Sequence, residues 1–246
     1  MKFNHTFKFR NFVVFFILSL HLISCSKDSG GDVAIGGSLN KFTIIGNNLY
    51  VINNAKVETY DIDNGKMHYI GSTTIEPGIE TLFPFDTLIL VGAQNGMHIC
   101  KKNQDGTLTL MSRYTHIQSC DPVVTDGSIA YVTLSSGCGN ESNQLEVLNI
   151  TDPYNPQRIK SYAMNHPKGL GIDGKLLFIC DSDDGLKIFD RTVPEKLVQL
   201  YHFDYFTAID VIPFNGLLLV MTGNGFREFN YSDAENIHEL SEFTFK

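Results

Sequence analysis

Tryptophan is absent from this 246-residue chain, and basic residues are too few to form a run: 19 Lys and Arg against 27 Asp and Glu leave a formal charge of −8. Binding to nucleic acid rests on clustered cations that neutralise phosphates, so charge excludes that partner. Long apolar runs are missing too. The one conspicuous stretch, "FVVFFILSLHLI" from Phe12 to Ile23, is shorter than the roughly 20 residues of a membrane-spanning helix. No G-x-S-x-G elbow, H-E-x-x-H, C-x-x-C or P-loop occurs, which removes the commonest nucleophile, zinc and phosphate signatures. No metal and no cofactor is expected. Beyond Ile23 no segment keeps a 3.6-residue apolar period, which argues against a helical domain.

What is present begins at the N-terminus. Lys2, Lys8 and Arg10 precede the apolar run in the layout of a signal peptide, so residues 1–24 are set aside from fold reasoning. The run ends in "LISC", Leu22 to Cys25, which resembles the lipobox of a bacterial lipoprotein. The resemblance implies that Cys25 is acylated and tethers the chain to a membrane without spanning it, each buried methylene contributing about 0.8 kcal/mol. An ordinary secretory cleavage site beside a chance cysteine is the alternative. Residues 25–37, with "SKDSGGD" at their start, read as the lipidated N-terminus and a flexible tether. Lys27 and Asp28 are similar to the short charged signal by which some Gram-negative bacteria display lipoproteins. The expected location is the outer membrane, on the cell surface or the periplasmic face.

Residues 38–246 are left for one substantial domain. The segments "NLYVINNAKVETYDI", "TLILVGAQNGMHICKK", "IAYVTLSSGCGNESNQLEVLNI", "KLLFICDSDDGLKIFD" and "LLLVMTGNGFREFNY" share one layout of apolar strand, turn and alternating strand. Taking Ile52, Val91, Val132, Ile179 and Val220 as equivalent gives spacings of 39, 41, 47 and 41 residues. That is the period of a four-stranded propeller blade. A short apolar segment before each hairpin and an alternating one after it supply the other two strands. The expected fold is all-β, a five-bladed β-propeller of four-stranded antiparallel blades, with an irregular sandwich or an open array as the alternative. The last blade has its own fourth strand, so closure by strand exchange is not required.

Two apparent ligand motifs dissolve in this frame. Gly169, Gly171 and Gly174 have dinucleotide-fingerprint spacing but lead into the strand "KLLFIC" rather than a helix. They read instead as small residues of an innermost strand, with Asp173–Gly174 as the turn out of it. Asp181, Asp183 and Asp184 resemble the start of a calcium loop, yet Thr192 stands where the bidentate glutamate belongs. Asp184–Gly185 is a hairpin turn like Asn95–Gly96 and Asn224–Gly225.

"GLGIDGKLLFICDSDDGLKIFD", and "AYVTLSSG" followed by "QLEVLNITDPYNPQRIKSY", resemble the LVIVD repeat, named for an aliphatic strand ending in aspartate. The resemblance is strongest in the third and fourth units. It implies an exported bacterial β-propeller and carries no catalytic residue across.

The cysteines and acids supply the remaining expectations. Cys120 precedes the first strand of blade three and Cys138 lies between its second and third strands, positions that emerge on one face of an up-and-down blade. A Cys120–Cys138 disulfide is expected, worth roughly 3 kcal/mol in the chain-entropy model. Cys100 and Cys180, on strands of non-adjacent blades, are expected to be buried free thiols. Aligned inner strands put Glu80, Asp121, Lys168 and Ile209 at equivalent positions, with Asp210 one step on, as a mostly acidic ring at the channel mouth. A hydrated channel mouth without a ligand is the bland alternative. His166, Asp181, Asp183, Tyr205 and Phe206 extend the candidate surface. The expected function is a non-catalytic, monomeric envelope module that binds a glycan, a peptide or a partner protein. A hydrolase or lyase acting on polysaccharide through the acidic ring, and a scaffold in an envelope complex, are the alternatives.

Overall fold

A computed structural model describes residues 36–115, 122–136 and 143–246. Each sequence repeat becomes one antiparallel sheet of four strands in sequential order. Blade 1 holds β1 (Phe42–Ile45), β2 (Asn48–Asn53), β3 (Lys56–Asp61) and β4 (His68–Thr74). Blade 2 holds β5 (Ile79–Phe85), β6 (Leu88–Ala93), β7 (Gly96–Lys102) and β8 (Leu108–Thr115). Blade 3 holds β9 (Val123–Thr125), β10 (Ile129–Leu134), β11 (Gln144–Asn149) and β12 (Gln157–Ala163). Blade 4 holds β13 (Leu170–Asp173), β14 (Leu176–Cys180), β15 (Leu186–Asp190) and β16 (Val198–Phe203), and blade 5 holds β17 (Ala208–Phe214), β18 (Leu217–Thr222), β19 (Gly225–Asn230) and β20 (His238–Thr244). The chain is an all-β, five-bladed β-propeller, with no α-helix among the described residues. The signal peptide, Cys25, Asp121 and the Cys120–Cys138 pair fall outside those residues.

Local chemistry fixes the strand ends. The first turn of blades 1, 2, 4 and 5 starts at Gly46, Asp86, Gly174 or Asn215, each with φ between +50° and +59°, a region that glycine and the Asx residues tolerate. In blade 4 the turn is Gly174–Lys175, one residue later than the sequence suggested, because Asp173 still pairs with Leu176. The second turns depend on glycine for a different reason. A Cβ on Gly96, Gly185 or Gly225 would collide with a main-chain carbonyl of its blade's fourth strand, at Tyr114, Phe203 or Phe243. The third strands of four blades end on Asp61, Asn149, Asp190 and Asn230, and each side chain accepts a hydrogen bond from the N–H two residues on. This Asx turn is the physical reason for an acidic or amide residue closing the repeat.

Pairing between third and fourth strands slips by one residue in every blade, at Thr59/Tyr60, Ile99/Cys100, Val147/Leu148, Ile188/Phe189 and Glu228/Phe229. The residues left unpaired on the fourth strands are Ile70, Met111, Ile159, Leu200 and Leu240, all aliphatic or Met. A bulge increases local twist, so the same device at the same register gives all five blades a similar outward twist.

Blades stack through their faces. The innermost strands adjoin in the order β1, β5, β9, β13 and β17. One apolar cluster fills each junction: Tyr50 and Leu82 lie in that of blades 1 and 2, Leu90 and Val132 in that of blades 2 and 3, Tyr131 and Ile179 in that of blades 3 and 4, and Phe178 and Val220 in that of blades 4 and 5. Among the described residues there is no fifth cluster between blades 5 and 1. Gly171 sits in the innermost strand, where a Cβ would press on Pro213 of β17, as the packing reading of the glycines requires. Cys100 and Cys180 are buried free thiols in separate junctions, and burial pushes the Cys100 thiol up to about 12.

Candidate functional site

The segment entering β1 crosses the channel mouth. Asn40 accepts through its carbonyl from the Leu82 N–H at 2.8 Å, while the Ser38 hydroxyl accepts from the Leu170 N–H at 2.8 Å and donates to Asp210 at 3.3 Å. Gly36 and Gly37, placed in the tether by the sequence, line a cavity of about 170 Å³ together with Phe83, Val124, Leu170 and Val211. A Cβ on Gly37 would strike the Asp210 carboxylate. The described part of the channel mouth is thus largely apolar, with Gly36–Asn40 lying against Asp210. Burial raises the Asp210 pKa despite hydrogen bonds from Val211, Leu39 and Ser38. Glu80, on the bulge of β5, accepts from Gln94 at 2.9 Å. Lys168 is half-buried, with its N–H donating to Cys180 and its carbonyl accepting from Thr133. Glu80 and Asp210 are thus each engaged by a protein partner, Gln94 and Ser38.

A different polar assembly stands on blades 4 and 5. The linkers entering these blades and their second turns lie on one face, because alternate connections of an up-and-down sheet share a side. Asp181 is fully buried and accepts from the backbone N–H of Asn165 and of His166, the latter at 2.6 Å. Lys187 lies 2.5 Å from both Asp181 and Asp184. Burial opposes the Lys187 charge, but its bonds to the two aspartates hold its pKa above the ordinary lysine value, and the Lys187 bond in turn holds Asp184 low. His202 reaches the Asp184 carbonyl at 2.7 Å and its carboxylate at 3.3 Å. Asp181 is therefore a strut that fastens the entering linker to the hairpin, and no lone pair of it faces solvent. Asp183 is exposed and accepts from the Thr207 hydroxyl at 2.8 Å. The His166 side chain is exposed.

On blade 5 the Arg227 guanidinium lies over two rings, 4.8 Å from the centre of Phe206 and 5.3 Å from that of Tyr205. It also pairs with Glu239 at 2.7 Å and Glu242 at 2.8 Å. The Tyr205 hydroxyl donates to Glu239, and burial together with that bond raises its pKa to about 12. Tyr205 remains 55% exposed. These groups border a cleft of about 350 Å³ whose other walls are Thr207, Thr222, Asn224 and Glu242. It offers an aromatic surface, two hydroxyls, a side-chain amide and a carboxylate in one concavity, a set suited to a neutral polyhydroxylated ligand.

Tyr205 and Asp183 were legible from the sequence as site residues; Arg227, Thr207, Asn224 and Glu242 were not. A signal for Arg227 was available. The strands "VETYD", "MHICK", "LEVLN", "LKIFD" and "FREFN" each carry a charged or imidazole residue after the first apolar one: Glu58, His98, Glu146, Lys187 and Arg227. All five occupy the place just before the bulge, and all engage in networks. Glu58 accepts from Asn53 and Tyr60, His98 meets Glu76, and Glu146 accepts from Tyr114 of the preceding blade and from Arg158. Glu58 and Lys187 bond within their own blades, His98 meets the linker entering its blade, Glu146 ties blade 3 to blade 2, and in blade 5 the same position supports an open cleft.

No family model and no curated protein matches the chain. Among solved structures it is similar to the computationally designed Ika8 protein, with 12% identity and a TM-score of 0.59 over 82% of this chain and 60% of that one. It is also similar to a structural-genomics protein from Lactobacillus plantarum, with 14% identity and a TM-score of 0.63 over 86% and 70% of the two chains. BamB from Moraxella catarrhalis gives 14% identity and a TM-score of 0.53 over 89% and 75%. The chain spans three-fifths of Ika8's length. At such identities the likeness extends to the propeller fold alone.

Proposed function

We propose that this chain is an envelope-anchored, non-catalytic binding module whose cleft on blade 5 takes a glycan. The observation that carries the reading is the cleft itself: an exposed Tyr205 ring whose companion ring is locked by Arg227, facing Thr207, Thr222 and Asn224 hydrogen-bonding groups. Aromatic faces contact the apolar C–H surface of a sugar, and the amide and hydroxyls exchange hydrogen bonds with its hydroxyls. Anchoring through Cys25 and an exported LVIVD-like propeller are supported by the sequence motifs alone. Export would place the cleft where extracellular or wall saccharides occur.

The test is a glycan array followed by calorimetry with the best oligosaccharide, using the full chain and the variants Asn224→Ala and Tyr205→Ala. Each variant should lose about tenfold in affinity, equivalent to about 1.4 kcal/mol, with little change in melting temperature for Asn224→Ala. A glycan that binds both variants as tightly as the parent chain, or an array with no hit, refutes the cleft as a glycan site. In cells the parent should fractionate with membranes and Cys25→Ser should not; retention of the variant would refute the anchor.

A further inference from the structure

Five blades create five junctions in a closed round, yet among the described residues apolar clusters fill four. The second strands show what the missing junction leaves behind. In β6, β10 and β14 nearly every residue is buried, since neighbours cover both faces of the blade. In β18 burial alternates strictly: Leu218, Val220 and Thr222 are covered by blade 4, while Leu217, Leu219 and Met221 stand in solvent, Leu219 at 43% exposure. The pairing register extends this open face across the sheet. Leu217 pairs with Phe214, Met221 with Phe226, and Phe226 with Phe243, which is 62% exposed. Phe245 packs edge-on against Phe226 and Phe243 at its outer end. The only charged side chain at its centre, Glu228, accepts a hydrogen bond from Ser241.

We propose that a second copy of this chain covers the open face of blade 5, sheet against sheet, in a two-fold dimer. The face is built like those that pack blade on blade within the molecule, so its complement is another such face, and a two-fold axis supplies an identical one. Its size agrees. Seven apolar side chains of this class at about half exposure present roughly 600 Å² per copy, close to the roughly 800 Å² per partner of a standard stable interface, which its rim would complete. A patch of this extent stands at the upper end of the roughly 300–600 Å² found as the largest on typical monomers, where such patches are often functional. The surface holds no lysine or arginine, its one central charge, Glu228, is tied to Ser241 and must lie off the two-fold axis to avoid its own image, and facing sheets pack about 10 Å apart with their side chains interdigitated. The proposal departs from the expected monomer because of the alternate exposure along β18, which the sequence alone does not display.

Two experiments decide it. Residues Gly31–Lys246 make one compact unit containing every apolar cluster, but both tests use the full chain. In native membranes, Leu219→Cys treated with a short bis-maleimide should give a covalent dimer, whereas a cysteine at exposed Val193, on the third turn of blade 4, should give none. By sedimentation equilibrium in a mild detergent the parent should have the dimer mass, and Leu219→Glu, which places a charge at a solvent-exposed position, should have the monomer mass. A monomeric parent at micromolar concentration, a dimer that survives Leu219→Glu, or equal cross-linking at positions 193 and 219 would overturn the proposal. Should Leu219→Glu fail to fold, the cross-linking comparison still decides.

Discussion

Replacing Asp181 with alanine separates a strut from a ligand-binding acid. The change removes the acceptor for two backbone N–H groups, at Asn165 and His166, and one of the two anions holding Lys187. Each orphaned donor costs about 1 kcal/mol, the low end of its range, because both residues lie near solvent. Breaking a buried ion pair costs about 3–5 kcal/mol when the remaining charge is left bare. Lys187 keeps Asp184, so a fraction of that applies. The total is roughly 3–4 kcal/mol, a fall of about 10 °C in melting temperature for a domain of this size. Asp184→Ala removes a partly exposed partner and should cost no more than about 1 kcal/mol, or some 3 °C. Calorimetric melts of parent, both single variants and the double variant complete the cycle, and coupling between the sites should be visible because both act on one ammonium. Equal melting points for the two single variants would refute the assignment of Asp181 as the strut. So would an Asp181→Ala protein as stable as its parent but unable to bind its glycan.

Two further outcomes are expected. Gly174→Ala meets only the left-handed backbone penalty, since no atom lies near its Cβ, and should cost about 1 kcal/mol; Gly225→Ala meets only a collision with the Phe243 carbonyl, about 2 kcal/mol; Gly185→Ala meets both. Chemical denaturation should rank them in that order, and a Gly174→Ala protein as unstable as Gly185→Ala would sink the separation of the two causes. His98 of blade 2 is buried against Glu76, whose other carboxylate oxygen pairs with Arg113, and burial lowers its pKa although Glu76 pulls the other way. The unfolded chain therefore takes up this proton at a higher pH than the folded one. Stability should fall as pH drops below the ordinary histidine value of about 6.5 and level off below the folded value. His98→Gln should lack this component of the acid sensitivity, and identical pH profiles for the two proteins would exclude it.

Much of the fold was legible because each blade repeats its local chemistry. The aliphatic second strand, the x-Gly turn before the third and the Asx residue at its end all have physical causes that act within one repeat. The turn glycines were identified correctly, but the cause is the nearby fourth-strand carbonyl, which lies some twenty residues away in the chain and leaves no local trace. The burial of Asp210 was hidden for a related reason. Alignment of inner strands made Glu80 and Ile209 equivalent, and both prove to stand on a bulge, which the alignment did not foresee; nor does anything in the repeat reveal that Gly36–Asn40 would lie against Asp210. The cleft on blade 5 was half visible. Tyr205 announces itself as an aromatic in a polar linker, whereas Arg227 is recognised only when five third strands are read together. The open face was hidden entirely, since Leu217, Leu219 and Met221 look like core residues in any single blade.

Four apolar junctions among the described residues make this propeller, in its hydrophobic packing, a stack with two ends. A closed ring has no first element to loosen, and every blade leans on two others. Among the described residues apolar clusters join blades 1 and 5 to one neighbour each, and the segment entering blade 1 meets blade 5 through the Ser38–Asp210 bond, so nearest-neighbour coupling predicts a gradient of protection, with amide exchange slowest in β10 of the middle blade and fastest in the outer strands of the end blades. Melting can begin at an end and travel inward, as it does in linear repeat arrays. The same arrangement frees blade number from geometry: a stack can gain or lose a terminal blade without a circle having to be reopened and closed again.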